Sequence, residues 1–210
     1  MTGGARREQL IRVAVGLFAE RGFQGTTTKS IATEAGVSEA IIYRHFATKE
    51  DLYAAILDHK ANEAGVEVWL NELRGAAERK DDQALFRSLG DKILESYRRD
   101  PQFQRLMFYS SLERHGISKV FHKRRGLPIF GFLRDYVAQR QKDGAFHGCD
   151  PGTVVFALVG IPTYYAIVKR LFGLDLLKAT DEKVAITFTR LLLDGLRKGQ
   201  AGNQSRNGER

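Results

Sequence analysis

TTTKSIATEAGVSEAIIYRHFATKEDL, residues 26–52, decides the reading of this chain. Two short amphipathic stretches flank the corner Ala35-Gly36-Val37, and glycine is the residue that enters a left-handed turn without a Cβ penalty. Thr26, Thr27 and Thr28 stand where a helix N-cap is needed, and Ser38 stands before the second stretch, which runs to about Phe46. Ile31, Ala32, Ala35, Val37, Ile41 and Phe46 share the inward side. That leaves Ser38, Glu39, Ala40, Tyr43, Arg44 and His45 to face outward, a set rich in hydrogen-bonding groups. A helix entered from its N-terminal end fits the major groove of a duplex, so Ser38, Glu39 and Ala40 would meet base edges. Glu39 can accept from cytosine N4, while Tyr43, His45, Lys49, Thr27 and Thr28 suit phosphate contacts that set register.

Upstream, Leu10, Ile11, Val13, Ala14, Leu17 and Phe18 recur at helical spacing, with Gly22 as a stop. Downstream, a further helix opens at Thr48, where Glu50 and Asp51 favour the positive end of the helix dipole. Leu52, Tyr53, Ile56 and Leu57, then Val66, Trp69, Leu70 and Leu73, continue the pattern and predict one long connecting helix. Helical patterns follow at about 84–99, 102–114, 117–142, 151–172 and 181–198, punctuated by Pro101, Gly116, Gly148 to Pro151 and Gly173. Period-two runs are missing, so the fold class is all-α, with an N-terminal helix-turn-helix domain over 1–50 and a second helical domain over 51–198. The glycine-rich polar tail 199–210 is expected to be disordered.

The run LIRVAVGLFAERGFQGTTTKSIATEAGVSEAIIYRHFATKEDLYAAI, residues 10–56, resembles the N-terminal domain of the tetracycline-repressor (TetR) family. Its landmarks are Phe18 with Gly22 and Phe23, the threonine cluster, Ala35-Gly36-Val37-Ser38, Tyr43-Arg44-His45-Phe46 and Lys49-Glu50-Asp51-Leu52. The resemblance implies a three-helix DNA-binding domain, a linking helix, a ligand domain and dimerisation through the last two helices. It places phosphate contacts on Thr27 or Thr28, Tyr43, His45 and Lys49, and base reading on Ser38, Glu39, Ala40 and Arg44. Ala40 stands where the family often has glycine, and Glu39 where a basic or small polar residue is common, so the operator does not carry over.

The formal charge of +8 and pI near 9.7 fit a polyanionic partner. Charge alone does not locate the DNA surface: residues 1–50 carry seven Lys or Arg against five Glu, whereas 97–142 carry eleven against three acids. Trp69, Phe86, Tyr97, Phe103, Met107, Phe108, Phe130 and Tyr136 either line an apolar ligand pocket or fill a core, the usual work of aromatics. The basic excess over 97–142 either selects an anionic amphipathic ligand at the pocket mouth or is a solvated face.

VVFALVGIPTYYAIV, residues 154–168, is apolar all round but shorter than a bilayer span, and no secretory signal opens the chain. A cytoplasmic protein without membrane attachment is expected. With the last helix, this run either completes a monomeric core or forms a homodimer interface through Phe156, Gly160, Tyr164, Phe188, Leu191 and Leu192.

Catalytic alternatives find little support. GFQGTTTKS at 22–30 has Thr28 where a P-loop needs glycine and follows a helix. No HExxH occurs, and of the histidines 45, 59, 115, 122 and 147 only His115 and His122 share a helical face. Cys149, the only cysteine, permits neither an internal disulfide nor a thiolate zinc cage. The expected partners are operator DNA, a second copy and a small-molecule inducer, with no cofactor, metal or enzymatic activity. A helical carrier that no longer binds DNA is the third reading, separable by salt-dependent duplex binding.

Overall fold

The computed structural model describes residues 2–63, 65–113 and 122–198. The expected disorder of 199–210, the break at Gly116 and the partner histidine His115 lie outside the described residues.

The architecture is all-α: a helix-turn-helix unit followed by a helical body. Helix α1, Gly3–Arg21, buries Leu10, Ile11, Ala14, Leu17 and Phe18, the stripe its spacing predicts. Helices α2, Thr28–Glu34, and α3, Glu39–His45, pack on each other, and α2 packs on α1. Helix α4, Lys49–Glu63, starts on a reciprocal cap: the Asp51 N–H donates to Thr48 Oγ1 at 3.0 Å, and the Thr48 N–H to Asp51 Oδ2 at 3.1 Å. One core joins these four helices through Ile31, Ile42, Phe46, Leu52, Tyr53 and Ile56, so it extends beyond residue 50.

The connecting helix is not one rod. Gly65, at φ +56°, ends it in the left-handed region, and α5, Val66–Glu78, starts afresh. The hydrophobic pattern that suggested continuity serves two different cores. Ile56 belongs to the first, while Leu73 and Ala76 belong to a second.

Helix α6, Asp82–Arg99, is the axis of that second body, packing against α5, α7 (Pro101–Leu112), α9 (Pro151–Ala166) and α10 (Asp181–Leu196). Helix α8, Leu127–Lys142, is entered through a wide turn at His122–Gly126 and lies against α9. Gly126 keeps right-handed geometry at φ −66° before α8, and Pro128 stands in the first turn of that helix. Helix α9 passes into a second wide turn, Ile167–Leu171, making a 21-residue helical run that is long and apolar enough to cross a membrane by length and composition. It is longer than the apolar stretch the sequence shows, because Lys169 and Arg170 continue the helix while ion-pairing to Asp181.

Candidate nucleic-acid interface

The corner is built from local chemistry. Thr27 and Ser30 form a capping box: the Ser30 N–H donates to Thr27 Oγ1 at 3.0 Å and the Thr27 N–H to Ser30 Oγ at 3.1 Å. The Thr26 hydroxyl, fully buried, donates back toward the Gly22 and Leu17 carbonyls at 2.8 and 3.1 Å, tying the threonine run to the end of α1. Gly36 turns the corner at φ +66°, and the Val37 N–H returns to the Ala32 carbonyl at 3.0 Å. Of the three threonines only Thr27 caps α2.

Ser38 occupies the N-cap position of α3, yet its side chain makes no capping bond; the helix is instead closed by the Ile41 N–H on the Ser38 carbonyl. Its hydroxyl therefore remains on the surface. Ala40 and Arg44 are also exposed, and Tyr43 is half exposed. These four, with exposed Thr27, form the outward face of the corner.

The remaining sequence-derived candidates are engaged within the protein. Thr28 is buried, and its hydroxyl donates to the Glu39 carboxylate and stands 3.2 Å from the Tyr43 hydroxyl. Glu39 is thus partly turned toward α2, because burying the Thr28 hydroxyl requires an acceptor. His45 is half-buried beside Phe46. The Lys49 ammonium donates to the Phe23 carbonyl at 2.5 Å and lies 3.9 Å from the centre of the Phe23 ring. Burial pushes its pKa below the usual lysine value, while Glu50 and Glu113 pull it back up. Lys49 fixes the frame before it can touch anything outside.

Residues near the corner that the sequence reading passed over come from the start of α1. Gln9 Nε2 donates to the Ala35 carbonyl at 3.1 Å, and Arg6 Nη1 to Gln9 Oε1 at 2.6 Å. The Arg7 guanidinium lies 5.1 Å from the Phe46 ring centre. The Arg6-Arg7 pair ahead of an amphipathic stripe was the available signal, and it brings two cations beside the corner.

The eight apolar candidates do not converge on one pocket. Phe103 and Met107 pack in the first core beneath the helix-turn-helix, and Phe108 is exposed. Phe86 and Tyr136 are buried in the second core, with Phe130 and Trp69 packed against it, and Tyr97 sits in a third cluster with Leu94 and Ala166. Burial lifts the Tyr97 hydroxyl to a pKa of about 12. The eight are dispersed because the first half of α6 faces the second core, its second half faces the third cluster, and α7 faces the first core. A cleft of about 1500 Å³ lies instead between α5, α6 and the segment 169–182. Trp69 is the one residue of the eight that lines it, and its indole N–H donates to Ser88 Oγ at 3.0 Å.

On the far side, Phe156 is 72% exposed, Tyr164 68% and Leu191 63%. Gly160 is exposed, with nothing within 4 Å of where a Cβ would stand. Phe188 stacks edge-on to Tyr165, and Leu192 packs against the second core, so these two are half-buried within the chain. Among the described residues no group of three or more His, Cys, Asp or Glu is placed to hold a metal.

A helix-turn-helix corner joined to a helical body has counterparts among known proteins. Residues 10–56 match the family model of the bacterial regulatory proteins, tetR family. It is 42% identical over 53 residues to the transcriptional repressor KstR2 of Mycobacterium tuberculosis, covering 25% of this chain and 26% of that one. It is 28% identical over 124 residues to the nucleoid occlusion factor SlmA of Glaesserella parasuis, covering 55% and 59%. The chain thus matches between about a quarter and three-fifths of the length of these relatives. In fold the similarity runs further. The solved KstR2 structure superposes with a TM-score of 0.60 at 21% identity, covering 92% of this chain and 95% of that one. AibR, solved with isovaleryl coenzyme A and operator DNA, superposes with a TM-score of 0.62 at 20% identity, covering 90% and 98%.

Proposed function

We propose that this chain is a homodimeric, ligand-responsive repressor of transcription, working in the cytoplasm and not as an enzyme. The observation that carries it is the corner at Gly36, which leaves Ser38, Ala40, Tyr43 and Arg44 on one outward face within the matched residues 10–56. Ser38, Ala40 and Arg44 reach base edges; Thr27 and the Tyr43 hydroxyl take phosphates. Glu39, Thr28, His45 and Lys49 act mainly by holding that face in shape. The DNA-binding unit takes in residues 1–50 and borrows the start of α4; residues 51–198 supply sensing and dimerisation.

The effector site fits the cleft between α5 and α6 better than the dispersed aromatics. Its lining includes Trp69 and Leu94 together with cations such as Arg98 and Lys178 and acids such as Glu72 and Asp91, a combination that suits an amphipathic ligand with a charged head. Of the two solved structures, KstR2 is a ketosteroid transcriptional regulator, and AibR holds isovaleryl coenzyme A, an anionic acyl carrier. By linkage, an effector that prefers a dimer with misplaced α3 helices must lower operator affinity by the same factor, about 5–150-fold for a coupling of 1–3 kcal/mol.

Selection of bound duplexes from a random pool, followed by affinity measurements across salt concentrations, tests the reading. Affinity should fall steeply as salt rises, and failure to retain any duplex in low salt overturns the proposal. Tyr43→Ala is expected to weaken binding roughly 10–100-fold and equally for all sequences, the loss of one hydrogen bond to a charged phosphate. Sequence-dependent loss on titration of matched and mismatched duplexes would instead make Tyr43 a reader of bases.

A further inference from the structure

Helix α7 meets the helix-turn-helix unit along one face. Leu106 and Met107 enter the first core, the Tyr53 hydroxyl donates to the Leu106 carbonyl at 3.0 Å, and Glu113 closes the row at the end of the helix. There the Phe23 backbone N–H donates to Glu113 Oε2 at 2.9 Å, although the two residues are 90 positions apart. The Phe23 carbonyl is held by Lys49 from α4, so both polar groups of this one residue are gripped by charged side chains from other helices. Gly22 makes the approach possible: it sits at φ +70°, and a Cβ there would lie 2.5 Å from Glu113 Oε1 and 3.3 Å from the Tyr109 ring.

The covalent route between the two bodies is not one unbroken helix. With a left-handed glycine between α4 and α5, a rotation of α5 is not transmitted along a continuous rod. The orientation of the corner is then set where α7 grips it.

We propose that Glu113 is a positioning residue for duplex binding: its carboxylate latches α7 onto the Gly22–Phe23 turn and fixes the angle at which α2 and α3 are presented. This rests on the DNA-binding reading above. A hydrogen bond to a charged group is among the stronger ones in a protein, so its loss has a measurable local signature.

The test uses full-length wild type, Glu113→Ala and Glu113→Gln, with a duplex selected by the wild type as probe. In Glu113→Ala the Phe23 amide, followed by hydrogen exchange without DNA, should exchange roughly 10–100-fold faster. Duplex affinity should drop about fivefold or more, with an unchanged salt slope because no phosphate contact is removed. Glu113→Gln keeps a carbonyl acceptor and should recover most of both. Wild-type affinity or wild-type Phe23 protection in Glu113→Ala overturns this role alone. A wild type that retains no duplex removes the DNA-binding reading and this role together.

Discussion

Asp82→Ala should destabilise the fold by about 3–5 kcal/mol, the usual cost of removing one member of a buried ion pair. Asp82 lies in the first turn of α6 with its side chain 7% exposed, and Arg140 from α8 reaches it at 14% exposure. Arg140 Nε and Nη2 donate to the two carboxylate oxygens at 2.8 and 3.0 Å, and the Tyr136 hydroxyl donates to Oδ1 at 2.6 Å. Burial first, and then this hydrogen bond, keep the Tyr136 hydroxyl protonated well beyond the usual tyrosine range. Alanine at residue 82 strands a guanidinium and a phenol in a core where water cannot replace the acceptor. Arg140 keeps only Asp143, at 3.1 Å, and the face of the Phe146 ring.

For a chain of this size the loss corresponds to a melting temperature lower by on the order of 10 °C. Asp82→Asn, which keeps one acceptor, should fall between alanine and wild type. Replacing Asp82, Tyr136 and Arg140 together by apolar residues of similar volume should recover most of the loss, since the penalty comes from stranding charges rather than from lacking the pair. Calorimetry decides it: an alanine variant melting within about 2 °C of wild type means the cluster is hydrated and contributes little.

That network also shows where sequence reading ends. The corner at Ala35-Gly36-Val37 was legible because every signal for it is local. The Thr27–Ser30 box, the Gly36 turn and the stripe from Leu10 to Phe18 each span a few residues, within which backbone geometry dictates who meets whom. Asp82 with Arg140 spans 58 positions, and Phe23 with Glu113 spans 90. Nothing in a periodic pattern pairs them.

The same limit explains the functional candidates. Thr28, Glu39 and Lys49 have the right chemistry for DNA, but the buried Thr28 hydroxyl takes the Glu39 carboxylate and the carbonyl of buried Phe23 takes the Lys49 ammonium, so these groups also serve internal contacts. The aromatics were countable in sequence, whereas their division among three cores follows from helix packing. Gly65 was visible too, yet a single glycine inside an apolar pattern does not reveal whether a helix tolerates it or stops.

Leu191→Asp should convert the protein to a monomer and lower its affinity for a duplex carrying two half-sites by about 10²–10⁴-fold. Leu191 on α10 is 63% exposed, and on the adjoining α9 Phe156 and Tyr164 are 72% and 68% exposed. Large apolar side chains clustered on two neighbouring helices are the signature of an uncovered interface, and a two-fold dimer buries each of them twice. Gly160, exposed between Phe156 and Tyr164 on that face, leaves room for a helix from the partner to approach closely. A carboxylate at residue 191 would have to be desolvated in both copies, which exceeds the ~1.5–3 kcal/mol gained by burying each leucine. Because the side chain makes little use of its own subunit, the monomer should keep its stability within about 0.5 kcal/mol. In the proposed homodimer, duplex binding would depend on pairing for a separate reason: two corners held ~34–36 Å apart would make the second half-site contact intramolecular. The variant should therefore bind an isolated half-site as wild type does, and lose only the two-site advantage. Sedimentation beside titrations with one- and two-half-site duplexes reads both effects. A variant that stays dimeric and binds the two-site duplex normally would place the dimer contact elsewhere on the molecule, and leave the apolar side of α9 to some other surface, a lipid one included, as its 21-residue run permits.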